Sequence, residues 1–130
     1  MIILSIRTDK PESEIGLFNG DIRLVYETWE AHRRLSETLH SKLETLLKTQ
    51  QLDWSDINGI IAYSGPGSFT GLRIGISTAN ALAYAVGIPI VGTSSEHWLE
   101  AGISALNKGE NDMPVIPEYG SAPHITQPKK

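Results

Sequence analysis

The feature that most constrains the fold is a glycine-rich block between an apolar run and a predicted helix with many small side chains. Residues 57–63 form the apolar run, and the block that follows reads Gly65-Pro66-Gly67-Ser68-Phe69-Thr70-Gly71. Glycine lets the backbone turn tightly and approach other groups closely, and Ser68 or Thr70 can cap the helix that follows. Gly87 ends that helix. The chain therefore contains a strand, a tight turn and a helix in succession, which is a unit of α/β folds.

Periodic patterns on both sides of this block complete the fold prediction. Asn19-Gly20 between two strand-like runs is a strong hairpin signal, and Thr93-Ser94-Ser95-Glu96 reads as a capping box for the last helix. The later strands connect through helices, which gives right-handed crossovers and parallel pairs. The predicted strands are 2–6, 14–18, 22–26, 57–63 and 88–92, and the helices run over about 32–50, from Gly71 to about 86, and to about 107. The prediction is an α/β fold with a mixed five-stranded sheet in the order β-β-β-α-β-α-β-α.

The composition indicates one domain followed by a tail. A length of 130 residues is that of one ordinary domain. The spacing of prolines changes after Asp112, so we predict a domain over 1–112 and a proline-rich, extended tail over 113–130. No stretch of 18 apolar residues is present, so we expect no membrane span.

The bulk chemistry excludes several classes of function. The chain has no cysteine, which excludes disulfides and thiolate chemistry and fits a cytoplasmic protein. Its formal net charge of −4 does not favour a nucleic-acid surface, so any RNA would be held by another subunit. The four histidines lack metal-ligand spacing, and Ser68 does not lie in a nucleophile elbow. We therefore expect no catalytic residue and no metal ligand.

The helix after the block is apolar on nearly all sides. One stripe contains Leu72 and Ile76, while Ile74, Ala81 and Tyr84 populate the other side. A helix of this kind is expected to be buried on both sides. Two interpretations stay open: the first helix of the chain covers the second side, or a partner subunit does.

The glycine block also allows a different interpretation. Glycine loops at helix N-termini bind anions. The block lacks the Lys-Ser/Thr of a Walker loop and is not G-x-G-x-x-G. The alternative function is therefore a small nucleotide-binding enzyme that uses the loop Gly65–Gly71.

A family resemblance rests on this block. Residues 64–75, which read S-G-P-G-S-F-T-G-L-R-I-G, strongly resemble the signature of the TsaB (YeaZ) family, and the flanks 2–8, 52–57 and 87–95 agree. The resemblance covers about residues 1–107. It implies a single actin/Hsp70-type (ASKHA, ribonuclease H-like) lobe. It also implies a role in making N6-threonylcarbamoyladenosine in tRNA, as the non-catalytic partner that activates a TsaD-like transferase, with a TsaE-like ATPase binding the pair.

The resemblance also implies where the partner binds. Family members pair through their first two helices, with TsaD or with a second copy as a homodimer, so tRNA is reached indirectly through the complex. The residues expected near the partner are Leu35, Leu39, Leu43, Phe69, Leu72, Arg73 and Ile76. The expected signature loop consists of Gly65, Pro66, Gly67, Ser68, Thr70 and Gly71.

Two departures from the family pattern affect the nucleotide expectation. The opening segment Ile6-Arg7-Thr8-Asp9 replaces the usual I-D-T-S, and arginine cannot ligate Mg²⁺. Compared with the family pattern, the sequence is also expected to be a short form that lacks most of the second lobe. We therefore expect no cofactor in the isolated chain, and ATP or ADP only at a subunit boundary in the complex.

Overall fold

The computed structural model describes residues 1–119, and of His32 the backbone only. The strands are β1 (Ile2–Arg7), β2 (Glu12–Asn19), β3 (Ile22–Glu30), β4 (Gly59–Tyr63) and β5 (Ile90–Thr93). The α-helices of this part are α1 (Leu35–Thr49), α2 (Phe69–Val86) and α3 (Trp98–Asn107), and short 3₁₀ turns lie at His32–Arg34 and Trp54–Asp56. The predicted fold class and element order are confirmed.

The five strands form one mixed sheet in the order β3-β2-β1-β4-β5. The first three strands pair antiparallel, while β1 pairs with β4 and β4 with β5 in parallel. The carboxyl ends of β1, β4 and β5 therefore meet at one edge of the sheet. The glycine block follows β4 at this edge, and Thr8 and Asp9 follow β1.

Helices cover both faces of the sheet. The leucine stripe of α1 is buried, and so is the inner stripe of α2, because both pack on the same face. The helix α3 packs on the other face of the sheet. A Cβ at Gly102 would lie 2.5 Å from Ile61 Cγ2 there. The ring of Trp98 meets the Tyr63 ring edge-on, with 5.7 Å between the ring centroids. The buried stripes of α1 and α2 consist of Leu35, Leu39, Leu43, Leu46, Leu47, Leu72, Gly75, Ile76, Ala79 and Ala83. Among residues 1–119, no helix is both long and apolar enough to cross a bilayer.

Three local predictions from the sequence are wrong: the side-chain cap of α3, the side-chain cap of α2 and the position of the hairpin turn. The predicted capping box is absent: α3 begins at Trp98, and the Thr93 hydroxyl donates to the Trp98 carbonyl at 2.8 Å, while Ser95 has a positive φ of 73°. The hydroxyl that was expected to cap the helix therefore closes the turn before it. No side chain caps α2 at Ser68 either.

The hairpin turn lies one residue later than predicted. Asn19 still pairs with Ile22, so the turn residues are Gly20 and Asp21. Only Gly20 of these has a positive φ, 61°. A reciprocal capping box does exist in the chain, between Asp53 and Asp56, where the sequence indicated only a turn.

The segment 111–119, which we call the strap, packs onto the domain. Val115 is buried at 4% exposure, and Asn80 of α2 both donates to its carbonyl at 3.0 Å and accepts from its amide at 2.9 Å. The amide of Asp112 donates to the carbonyl of Ile90 at 2.7 Å, which covers the outer edge of β5.

The described part of the predicted tail, 113–119, packs onto the domain. The division of the chain at residue 112 stays a prediction. Residues 120–130 of that tail lie outside the described residues.

We expect Leu43→Ala to destabilise the isolated chain by about 2–5 kcal/mol, because Leu43 is fully buried and its truncation leaves a cavity. Urea unfolding monitored by circular dichroism measures this change. Thr45→Ala, on the exposed side of the same helix, is the matched control and should change stability by less than about 0.5 kcal/mol. An equally small effect of Leu43→Ala would show that the leucine stripe is not part of the core.

Candidate docking surface on the second helix

The glycines of the signature block seat α2 directly on the end of β1. A Cβ at Gly75 would lie 2.0 Å from Thr8 Oγ1, and one at Gly71 would lie 2.2 Å from the Thr8 carbonyl oxygen. The Thr8 hydroxyl donates to the Gly71 carbonyl at 2.7 Å. Any larger side chain at either glycine would push the helix away from the strand. This contact therefore fixes which side of α2 faces the sheet.

The loop before α2 is held by two other segments of the chain. The Ser68 amide donates to the Asp9 carbonyl at 3.2 Å, and a Cβ at Gly67 would lie 2.4 Å from Asp9 Cβ. Gly65 has a φ of 121°, and a Cβ there would lie 2.0 Å from the Glu118 carbonyl oxygen in the strap. Close packing within the chain thus accounts for the glycines of the signature loop, whose expected members lie together here.

Arg7 and Asp9 form a part-buried ion pair at the same edge of the sheet. Arg7 Nε lies 2.7 Å from Asp9 Oδ1, and Arg7 Nη2 lies 3.2 Å from Asp9 Oδ2. The guanidinium lies 3.9 Å from the centroid of the Tyr63 ring. Burial lowers the pKa of Arg7, but the hydrogen bond and the charge of Asp9 outweigh burial, so this pKa is raised. Both oxygens of the Asp9 carboxylate are therefore engaged by a cation of the same chain.

A second polar contact lies nearby on β2 and β3. The Tyr26 phenol donates to Glu14 at 2.6 Å, and burial together with this hydrogen bond raises the pKa of Tyr26. The Tyr26 phenol therefore stays protonated above its ordinary pKa of about 10. In residues 1–119, no group of three or more His, Asp or Glu side chains is placed to bind a metal ion.

The outward side of α2 remains open to solvent. We call this side the docking face, and it consists of Phe69, Thr70, Arg73, Ser77, Ala81, Tyr84 and Ala85. Phe69 is 54% exposed and Tyr84 is 82% exposed. The guanidinium of Arg73 lies 5.1 Å from the centroid of the Phe69 ring, and that ring lies 4.4 Å from the ring of Tyr119. The sequence left open whether the chain itself or a partner subunit covers the second side of α2. The chain itself covers only the inner side, and the docking face is left uncovered.

The residues expected near a partner fall into two groups. Five of them are 5% exposed or less, because they lie on the sheet side of α1 and α2 and pack in the core. In this conformation they cannot touch a partner directly. These five are Leu35, Leu39, Leu43, Leu72 and Ile76. Phe69 and Arg73 lie on the docking face. Ser77 and Ala81 were not among the expected residues, although they follow Arg73 at four-residue spacing, which places all three on one side of a helix.

A cleft of ≈ 390 Å³ opens beside the docking face, where α1 and α2 begin. Its lining includes Lys10, Ser13, Ser68 and Thr70. Helix N-termini attract anions, so this cleft is where the nucleotide alternative would have to place a phosphate group.

The fold is that of a single actin/Hsp70-type, ribonuclease H-like lobe. The structure titled "YeaZ from Pseudomonas aeruginosa" matches with a TM-score of 0.69 and 23% identity, over 83% of this chain and 50% of that one. The structure titled "T. thermophilus RuvC in complex with Holliday junction substrate" matches with a TM-score of 0.55 and 10% identity, over 92% of this chain and 85% of that one. At these identities the likeness shows the fold alone.

The sequence comparison identifies the family. The family model described as "TsaD: tRNA N6-adenosine threonylcarbamoyltransferase" matches residues 29–124. The chain belongs to this family of TsaD and TsaB (YeaZ) proteins, and the expected resemblance is confirmed.

Curated relatives carry both names. The tRNA threonylcarbamoyladenosine biosynthesis protein TsaB of Escherichia coli K12 is 33% identical over 117 residues, which are 89% of this chain and 50% of that protein. TsaB of Bacillus subtilis 168 is 32% identical over 78% of this chain and 44% of its own length. The tRNA N6-adenosine threonylcarbamoyltransferase of Tropheryma whipplei Twist is 34% identical over 81% of this chain and 29% of its length. The chain spans half or less of each of these relatives.

We expect Gly75→Ala to destabilise the chain by about 1–3 kcal/mol, because the new methyl group meets Thr8 where the helix touches the strand. Thermal unfolding measures the change, and Ser77→Ala on the exposed side of the same helix should stay within about 0.5 kcal/mol of the starting protein. Helix propensity alone predicts the opposite sign for Gly75→Ala, a gain of about 1 kcal/mol. A stabilised variant would therefore contradict the close contact.

Proposed function

We propose that the chain is a non-catalytic subunit in the synthesis of N6-threonylcarbamoyladenosine in tRNA, and that it binds and activates a TsaD-like transferase through its first two helices. The observation that carries this proposal is the open docking face of α2 on a helix whose inner side is fully packed. Family membership supports the pathway. The shape and charge of the docking face support the mode of binding.

The docking face suits a closely packed helix. Ser77, Ala81 and Ala85 recur at four-residue spacing, so small side chains line a ridge along which another helix can approach closely. Tyr84 lies beside one end of this ridge, and Phe69 lies about two helical turns before the other end, with Arg73 between. Exposed aromatic groups around a small, uncharged centre are typical of the energetically important part of an interface.

Arg73 gives the face its specificity. It is the only charged residue of α2. An acidic group of the partner would pair with it at the edge of the contact, where partial desolvation makes the pair stronger than one in open solvent. The buried residues that were expected near the partner then act indirectly, because they hold α1 and α2 in place under the docking face. They are Leu35, Leu39, Leu43, Leu72 and Ile76.

The Arg7–Asp9 pair supports the non-catalytic part of the proposal. The carboxylate at the end of β1 already has a guanidinium bound to both oxygens, so it is not free to act as a base or a metal ligand. The transfer reaction is therefore assigned to the TsaD-like subunit. A TsaE-like ATPase and tRNA join through the complex, ATP or ADP binds only at a subunit boundary, and the complex works in the cytoplasm.

The alternative function, a small nucleotide-binding enzyme, is favoured by the cleft beside the N-terminus of α2. Isothermal titration of the isolated chain with MgATP separates the two functions. We expect no binding tighter than about 1 mM, because the cleft beside α2 is not enclosed and the Asp9 carboxylate is already paired with Arg7. Micromolar affinity accompanied by ATP turnover would favour the enzyme.

We expect Ala81→Glu to weaken binding to the TsaD-like protein of the same genome by at least about 100-fold, because the substitution places an unpaired charge in the middle of the contact. Formation of threonylcarbamoyladenosine in a system reconstituted with the TsaE-like protein and tRNA should fall with it. Calorimetry gives the affinity, and nucleoside mass spectrometry gives the product.

The control for this variant is Ala101→Glu, which makes the same substitution at an exposed position on α3, on the other face of the sheet, and should change neither quantity. Both variants should keep the unfolding temperature of the starting protein, because both positions are exposed. A folded Ala81→Glu protein with normal affinity and normal product yield would refute the proposed binding mode. A charge at Ile76 would not serve here, because that side chain is 3% exposed and the variant would unfold.

A further inference from the structure

The large apolar side chains that residues 1–119 expose lie in two places. One group lies at the hairpin end of the sheet, and the other lies on α2 and the strap beside it. The first group consists of Met1, Ile22 and Leu24, and the second of Phe69, Tyr84 and Ile116. The second group includes a residue, Ile116, that is outside α1 and α2 and that the sequence did not indicate.

Ile116 is exposed although the strap around it is firmly attached. On one side Val115 is buried and exchanges two hydrogen bonds with Asn80. On the other side the amide of Glu118 donates to the Ser64 carbonyl at 2.7 Å. Ile116 is nevertheless 69% exposed. The neighbouring contacts therefore hold its side chain outward at a fixed place.

The strap is continuous with the docking face. At one end the ring of Tyr119 lies 4.4 Å from the ring of Phe69. Further along, Val115 is bonded to Asn80, which lies one helical turn from Tyr84. The strap thus runs beside α2 and widens the apolar surface between Phe69 and Tyr84.

We infer that the strap is a second component of the partner-binding surface, in which Ile116 and Tyr119 contact the same TsaD-like subunit as the docking face. This inference rests on the proposed function. The occupant follows from continuity: a subunit that covers Phe69 also meets the ring of Tyr119, which lies against it at an angle of 37°. The partner's surface opposite Ile116 must be apolar, because the side chain of Ile116 offers no hydrogen-bonding group.

The test compares two isoleucines of nearly equal exposure. Ile116→Ala should weaken binding of the full chain to the TsaD-like protein about tenfold, because a buried contact of most of one aliphatic side chain is lost. Ile22, which is 64% exposed at the other end of the sheet, supplies the matched control, and Ile22→Ala should leave the affinity within about twofold. Calorimetry measures both, and the thermal unfolding of each variant confirms its fold.

Including Ala81→Glu separates the possible failures. If Ala81→Glu abolishes binding while Ile116→Ala binds normally, the strap is not part of the surface and the proposed function stands. If neither variant changes the affinity, the proposed binding mode through α2 fails, and this inference fails with it. Sedimentation velocity of the isolated chain adds a further outcome: loss of a homodimer in Ile116→Ala, with unchanged affinity for the TsaD-like protein, would assign the strap to a second copy and overturn the inference.

Discussion

The contact between α2 and the end of β1 determines most of what this domain presents to its surroundings. Gly71 and Gly75 bring the helix backbone against Thr8, and the Thr8 hydroxyl bonds to the Gly71 carbonyl. A helix held this closely cannot rotate about its axis without driving a side chain into the strand. The apolar stripe of α2 therefore faces the core, and the stripe of small, almost entirely uncharged side chains faces outward.

This geometry explains how a helix that is apolar on nearly all sides can belong to a small domain. The sheet and α1 enclose the inner side, the strap runs along one flank, and the docking face stays open. Single exposed apolar residues are ordinary on protein surfaces, but an aligned face with two aromatic groups and one arginine is typical of a binding site. The Arg7–Asp9 pair lies at the same edge of the sheet, and it stabilises the segment on which α2 rests.

The periodicity of the sequence was sufficient for the element order and the sheet, because apolar residues in this chain repeat with the spacing of each element. It was not sufficient to tell which side of α2 faces inward, since both sides are apolar. That choice depends on Thr8, which is 63 residues from Gly71 in the chain. The leucines of α1 were correctly predicted as one stripe, but whether a stripe meets the protein's own sheet or a partner is a tertiary property.

The strap was missed for a related reason: its place depends on Asn80, 35 residues earlier. The predicted capping box is absent because the Thr93 hydroxyl donates instead to the carbonyl of Trp98, the first residue of α3.

We propose that a TsaD-like subunit covers the outward side of α2. Side-chain footprinting by carbene or hydroxyl-radical labelling, on the free chain and on the complex, measures this directly. We expect Phe69 and Tyr84 to be labelled in the free chain and protected in the complex, and Ile22 to be labelled equally in both, because only the first two lie on the docking face. Equal labelling of Tyr84 in the free chain and in a complex shown to be fully formed would contradict it.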